Sequence, residues 1–172
     1  ASDWSSDVCS SDLQTEKSPE ALFLYLAALR AGAIYVPLNT QYRPAELAHF
    51  MGDAAPRVVV CDPSAEASLA PVAKTANVSH LLTLGTDGKG SFADRAAGMD
   101  AAIETAPAAE DDIAAILYTS GTTGRSKGAM LSHGNLGSNA ETLHKAWGFT
   151  PDDVLLHALP IYHTHGLFVA CN

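Results

Sequence analysis

The sequence predicts an α/β fold of mostly parallel strands joined by crossover helices. Short apolar runs of strand length alternate with segments of helical periodicity. The connections between successive runs are about ten residues or longer, which suits parallel crossovers rather than hairpins. No internal repeat or low-complexity segment interrupts the alternation, and 172 residues suffice for a domain with a substantial core.

The elements follow in order. Ser18 caps a helix that Pro19 opens, with Leu22, Tyr25, Leu26 and Leu29 at helical spacing and Gly32 as the stop. AIYVPL (33–38) reads as a strand. Pro44 opens a second helix with Leu47, Phe50 and Met51 on one face, closed by Gly52. RVVVCD (57–62) is a short buried strand. Pro63 to Ala76 is an alanine-rich third helix, and HLLTL (80–84) a strand. GTDGKGS (85–91) is a loop, followed by a short helix within 91–102 and a polar connector, 104–112. DIAAILYTS (112–120) and GAMLSH (128–133) are strands, and His133 to Trp147 is a helix carrying Leu136, Leu143 and Trp147, ended near Gly148. VLLHALP (154–160) reads as a last strand, and GLFVA beyond it as the entry to a helix.

The formal charge is −9 and the ten Lys and Arg are scattered. That excludes the basic stripe of a nucleic-acid footprint. No apolar run approaches the roughly 20 residues of a bilayer span. Cys9, Cys61 and Cys171 have neither metal nor redox spacing, and read as reduced thiols of a cytoplasmic protein. The opening ASDWSSDVCSSDL has no basic start and no apolar stretch, so it is not a signal peptide. Asp3 to Leu13 resembles a translated sequencing-adapter oligonucleotide, and residues 1–13 are set aside from the fold as an artefact.

The chemistry concentrates in Tyr118 to Gly128, YTSGTTGRSKG, directly after the apolar run IAAIL. Glycines let a backbone approach polyphosphate closely, and successive N–H groups form an anion nest. Thr119, Ser120, Gly121, Thr122, Thr123, Gly124 and Lys127 are the candidate phosphate-binding set. The hydroxyls can donate to phosphate oxygens or ligate magnesium, Thr123 being the candidate metal ligand, and Lys127 adds a point charge. Lys127, Thr122 and Thr123 are the candidate catalytic residues. A Walker A loop is excluded, because Ser stands at 126 where Gly is required and Gly at 128 where Ser or Thr is required.

This string resembles the signature loop of the adenylate-forming superfamily: acyl-CoA synthetases, luciferases and peptide-synthetase adenylation domains. The family's loop usually has Pro where Ser126 stands, so the turn here is less fixed in φ. IYHTHG (161–166) follows the last predicted strand. Read alone, His163 and His165 are loop histidines, since no carboxylate or cysteine completes a metal set nearby. The resemblance gives them another role, because an aromatic–His pair in that place borders the family's acyl pocket. Tyr162 and His163 match the pair, and Tyr162, His163 and His165 are the candidate substrate-binding residues. His157 reads as structural, His133 and His144 as a loop and a helix-surface histidine, and Trp147 as core.

LPIYHTHGLF and QTEKSPEALFLYLAALRAGAIYVPLNT (14–40) look like the malonate- and methylmalonate-activating branch. A second carboxylate on the substrate needs a donor or cation, which His163 or His165 can supply. The resemblance implies that residues 14–172 are part of the large N-terminal AMP-binding domain, with the C-terminal domain absent, and that the chain is an internal fragment. It implies an ATP-dependent acid–thiol ligase using Mg2+ and coenzyme A, acting on a small carboxylate through an acyl-adenylate. This fragment alone is expected to be inactive. Another acyl-CoA ligase, an adenylation domain, or a non-catalytic nucleotide-binding remnant are the alternatives.

Overall fold

The computed structural model describes residues 10–102, 104–119 and 126–172, without the side chains of 10–13. They divide into two compact units, Ala1–Pro107 and Ala108–Asn172.

The first unit is a parallel sheet with crossover helices. Its strands are β1 (Ser10–Gln14), β2 (Ile34–Pro37), β3 (Val58–Cys61) and β4 (His80–Thr83). β1 pairs in parallel with both β2 and β3, and β3 with β4, giving the order β4-β3-β1-β2. Helices α1 (Pro19–Arg30), α2 (Pro44–Ala54) and α3 (Glu66–Thr75) make the crossovers. A short α4 (Ser91–Ala97) follows β4. Val36, Val60 and Cys61 are fully buried, as the continuous apolar strands of such a sheet require.

β1 has no counterpart in the sequence reading, which sets residues 1–13 aside. SSDLQ carries neither apolar alternation nor β-branched residues, so its pairing rests on backbone hydrogen bonds. At its end, buried Gln14 donates through Nε2 to the carbonyls of Asn39 (3.0 Å), Thr40 (3.3 Å) and Tyr42 (3.1 Å), tying down the loop before α2. The reciprocal bonds of Thr83 N to Ser91 Oγ (2.9 Å) and Ser91 N to Thr83 Oγ1 (3.0 Å) fasten α4 to β4.

Several elements differ in detail from expectation. α1 has its Ser18 cap, with Ala21 N donating to Ser18 Oγ at 3.1 Å. Its buried stripe, however, is Ala21, Leu24, Tyr25 and Ala28, while Leu26 is half exposed. ALFLYLAAL is apolar all round, so periodicity alone does not select the inward face. α2 buries Leu47, Phe50 and Met51 as expected, but runs through Gly52 to Ala54 and stops at Ala55, whose φ is 46°. The third helix begins as a 3-10 turn, Pro63–Ala65, under an Asp62 cap: Ser64 N donates to Asp62 Oδ1 at 2.8 Å.

The second unit holds the antiparallel pair β5 (Ile113–Thr119) and β6 (Lys127–Ser132), then α5 (His133–Trp147). The ladder slips by one residue between Ile113 and Ala115, so β5 carries one extra residue there. Ser132 and Asn135 cap α5 reciprocally at 3.1 Å in each direction, and Gly148 ends it at φ 66°. VLLHALP forms no strand: a strand exists only with a partner ladder, and among the described residues none pairs with it. Val154 and Leu156 are exposed. Trp147 is also exposed rather than core, its ring lying edge-on to Phe149 at 5.5 Å. Among the described residues no helix is long and apolar enough to cross a membrane.

Candidate active site

The β5–β6 hairpin fixes the two ends of the signature segment. IAAIL gives β5 its buried stretch Ala114 to Ile116, and the strand then emerges, with Thr119 exposed. Thr119 pairs with Lys127 across the ladder, and Thr119 Oγ1 donates to the Lys127 carbonyl at 3.4 Å. Lys127 thus starts β6 at the mouth of the connection, with an exposed side chain. Gly128 has the Ile116 side chain 2.8 Å from where a Cβ would sit, so the backbone beside Lys127 lies close against β5. Ser120, Gly121, Thr122, Thr123 and Gly124 lie outside the described residues.

The donor set at this end fits a magnesium-bound polyphosphate. An exposed ammonium stands across from a threonine hydroxyl, at the end of a segment rich in hydroxyls and glycines. Among the described residues no group of three or more His, Cys, Asp or Glu could hold a metal.

The second constellation is a compact turn. Tyr162 and His163 have ring centroids 4.8 Å apart, tilted by 58°. Tyr162 is half-buried, and His163 and His165 are exposed. His165–Val169 forms a single π-helical turn whose Gly166, Leu167 and Phe168 are buried. The expected helix entry is therefore a π turn, a form frequent at functional sites. Leu167 N donates to the His163 carbonyl at 3.0 Å, and Cys171 N to the Leu167 carbonyl at 3.1 Å.

Two groups hold this turn, one of them His157, which the sequence reads as structural. Asn139, in the middle of α5, donates through Nδ2 to the Phe168 carbonyl at 3.1 Å. An asparagine inside a helix is locally unfavourable, and that was the available signal of a polar partner. His157 Nε2 bonds to the Gly166 carbonyl at 2.6 Å. A carbonyl only accepts, so Nε2 carries the proton.

Thr119 and Lys127 are thus brought together at the hairpin end, and Tyr162 and His163 at the π turn. The two groups are connected through α5, which follows β6 and anchors the turn through Asn139. His133 is the first residue of α5 rather than a loop residue, and His144 lies exposed near its end.

Beside the start of α5 lies a cleft of about 340 Å³ lined by Glu110, His133, Gly134, Ser138 and Glu141. Its acidic lining makes it no phosphate site.

Comparison with known proteins identifies the family. The family model described as AMP-binding enzyme matches residues 13–172. The chain is 36% identical over 141 residues to the mitochondrial malonate–CoA ligase of Bos taurus, covering 82% of this chain and 23% of that protein. It is 33% identical over 152 residues to the oxalate–CoA ligase of Arabidopsis thaliana, covering 86% and 29%. The crystal structure of ATP-bound MatB from Rhodopseudomonas palustris superposes with a TM-score of 0.91 at 59% identity, covering 96% of this chain and 33% of that one. The chain spans about a quarter of the length of the curated relatives it matches. With the model matched from residue 13 to the last residue, the chain belongs to the AMP-binding enzyme family.

Proposed function

We propose that this chain is a segment, residues 14–172, of the AMP-binding domain of an acid–thiol ligase that activates a small dicarboxylic acid, malonate or methylmalonate, and passes it to coenzyme A. The observation that carries the reading is Lys127, exposed at the hairpin end opposite Thr119 and closing a segment of hydroxyls and glycines. The similarity to malonate–CoA ligases supports the choice of acid. The family match begins at residue 13, and Ser10–Gln14 pairs with both β2 and β3, so the stretch set apart as foreign to the fold narrows to residues before Ser10.

In this reading a carboxylate oxygen of the acid attacks the α-phosphorus of ATP, and pyrophosphate leaves with the electron pair of the broken P–O bond. The coenzyme A thiol then loses its proton, attacks the acyl carbon and expels AMP. Catalysis of the first step is positioning and charge stabilisation. Lys127 holds phosphate oxygens with its ammonium, and Thr119, Ser120, Thr122 and Thr123 donate hydroxyl hydrogen bonds. The backbone N–H groups of Gly121 and Gly124 complete the nest. The Thr123 hydroxyl would hold magnesium, which would supply neutralisation of phosphate charge. Tyr162 walls the acyl end, and His163 or His165 donates to the second carboxylate.

The test is malonate-dependent AMP formation by the intact enzyme carrying this segment. Lys127→Ala is expected to lower kcat/KM by about 10²-fold, the 2–3 kcal/mol of one lost charge-stabilising donor. AMP formation unaffected by the substitution refutes the role of Lys127. No AMP formation with any small dicarboxylic acid refutes the substrate.

A further inference from the structure

Three contacts converge on Gly166. His157 Nε2 reaches its carbonyl at 2.6 Å, and Cys171 Sγ donates to the same oxygen at 3.3 Å. On the opposite side Pro160 presses so close that a Cβ on Gly166 would overlap the Pro160 carbonyl oxygen. Cys171 Sγ also lies 3.6 Å from His157 Nε2, so the ring and thiol close a triangle over one carbonyl. The π turn fixed in this way begins at His165, and a backbone bond, Leu167 N to His163 O, ties it to the residue whose ring lies tilted against Tyr162.

We propose that His157 is a positioning residue for the acid-binding end of the site: its Nε2–H grips the Gly166 carbonyl and so sets the orientation of His163 and His165. The proposal rests on the ligase reading above. His157 touches no substrate in this role. It acts through the backbone of the turn, distinct from the phosphate segment at the β5–β6 end. Its removal therefore weakens the acid and leaves the nucleotide alone. Gln places an amide nitrogen near the reach of Nε2 and retains the donor; Ala does not.

The test compares the intact enzyme with its His157→Ala and His157→Gln variants. Two readouts are taken: KM for malonate against KM for ATP, and the alkylation rate of Cys171 by iodoacetamide, followed by peptide mass spectrometry. The expected result is a malonate KM raised about tenfold in the Ala variant, with ATP KM within about twofold of wild type and substantial recovery in the Gln variant. Cys171 alkylation rises about tenfold in the Ala variant, because the turn that shelters the thiol opens more often. Unchanged malonate KM, or malonate and ATP KM rising together, overturns the proposal. If the Ala variant does not fold, the Gln variant decides: near-wild-type malonate KM and alkylation support the grip, and loss of either overturns it. If wild type activates no acid, the ligase reading falls, and the alkylation ratio alone decides whether His157 holds the turn.

Discussion

Replacing Gly166 with Ala probes the turn through shape rather than hydrogen bonding. A Cβ built on Gly166 overlaps the Pro160 carbonyl oxygen, lies 2.8 Å from the Pro160 carbonyl carbon and 3.2 Å from Leu159 Cβ. Carbon atoms rest at about 3.5–4.0 Å, so the turn and the 159–160 backbone must part by more than half an ångström. Neither side can yield by swinging a side chain, since the nearest atoms are backbone. Overpacking of this kind costs about 1–3 kcal/mol. Parting also stretches the 2.6 Å His157 bond, worth about 1 kcal/mol. The sum is a loss of about 2–4 kcal/mol for the second unit. The assay is urea unfolding of the intact enzyme, where such a loss lowers the midpoint by about 1–2 M for an m-value near 2 kcal/mol/M. Gly137→Ala in α5 is the internal control: nothing lies within 4 Å of its added Cβ, so the helix gains up to about 1 kcal/mol. The two substitutions should move the midpoint in opposite directions. A Gly166→Ala midpoint equal to or above wild type refutes the close approach of Pro160.

Other outcomes follow from the same structure. Gln14→Leu keeps the bulk but removes the donor shared by the Asn39, Thr40 and Tyr42 carbonyls, and should lower unfolding stability by about 1–3 kcal/mol in urea titration. Ser132→Ala removes the α5 cap and should cost about 1 kcal/mol by the same measurement. Burial, with smaller contributions from the charges of Glu66 and Asp62, pushes the Cys61 thiol from 9.0 up to about 12. The folded state therefore favours the neutral thiol. The stability this gives is complete below pH 9 and drains away as pH rises toward 12, by up to about 1.4 kcal/mol per pH unit. Urea midpoints of wild type and Cys61→Ala should converge over that window, and parallel curves would discount the thiol. Tyr35, shifted upward by burial and by Tyr25, is common to both proteins.

Much of the fold was legible because its signals are local. Ser18-Pro19 and Pro44 announce helix starts that the backbone needs for its unpaired N–H groups. VVVC and IAAIL are apolar enough to name buried strands. Illegible features depend on partners distant in sequence. SSDLQ becomes a strand only because β2 and β3 flank it, and VLLHALP fails to become one because no described strand pairs with it. Trp147 looks like core by residue type, yet the α5 face it occupies meets solvent. At the candidate site, Thr119 and Lys127 were named from composition and order, and the ladder sets them side by side. The ties from His157 and Asn139 to the π turn span 9 and 29 residues of sequence, and no local pattern encodes them.

The extra residue in β5 decides which side chain guards the mouth of the phosphate segment. Continuing the pairing of Ile113 with Ser132 without interruption would set Thr119 opposite Ser126. The slip between Ile113 and Ala115 advances the phase by one, and the lysine takes that place instead. In a ladder of period two, the same step also decides which sheet face the Thr119 side chain leaves from. The position of the positive charge is thus counted out along a strand rather than held by a contact. β5 should accept changes of side chain more readily than changes of length beyond the bulge, because one residue inserted between Ala115 and Thr119 would set Thr119 opposite Ser126 instead of Lys127.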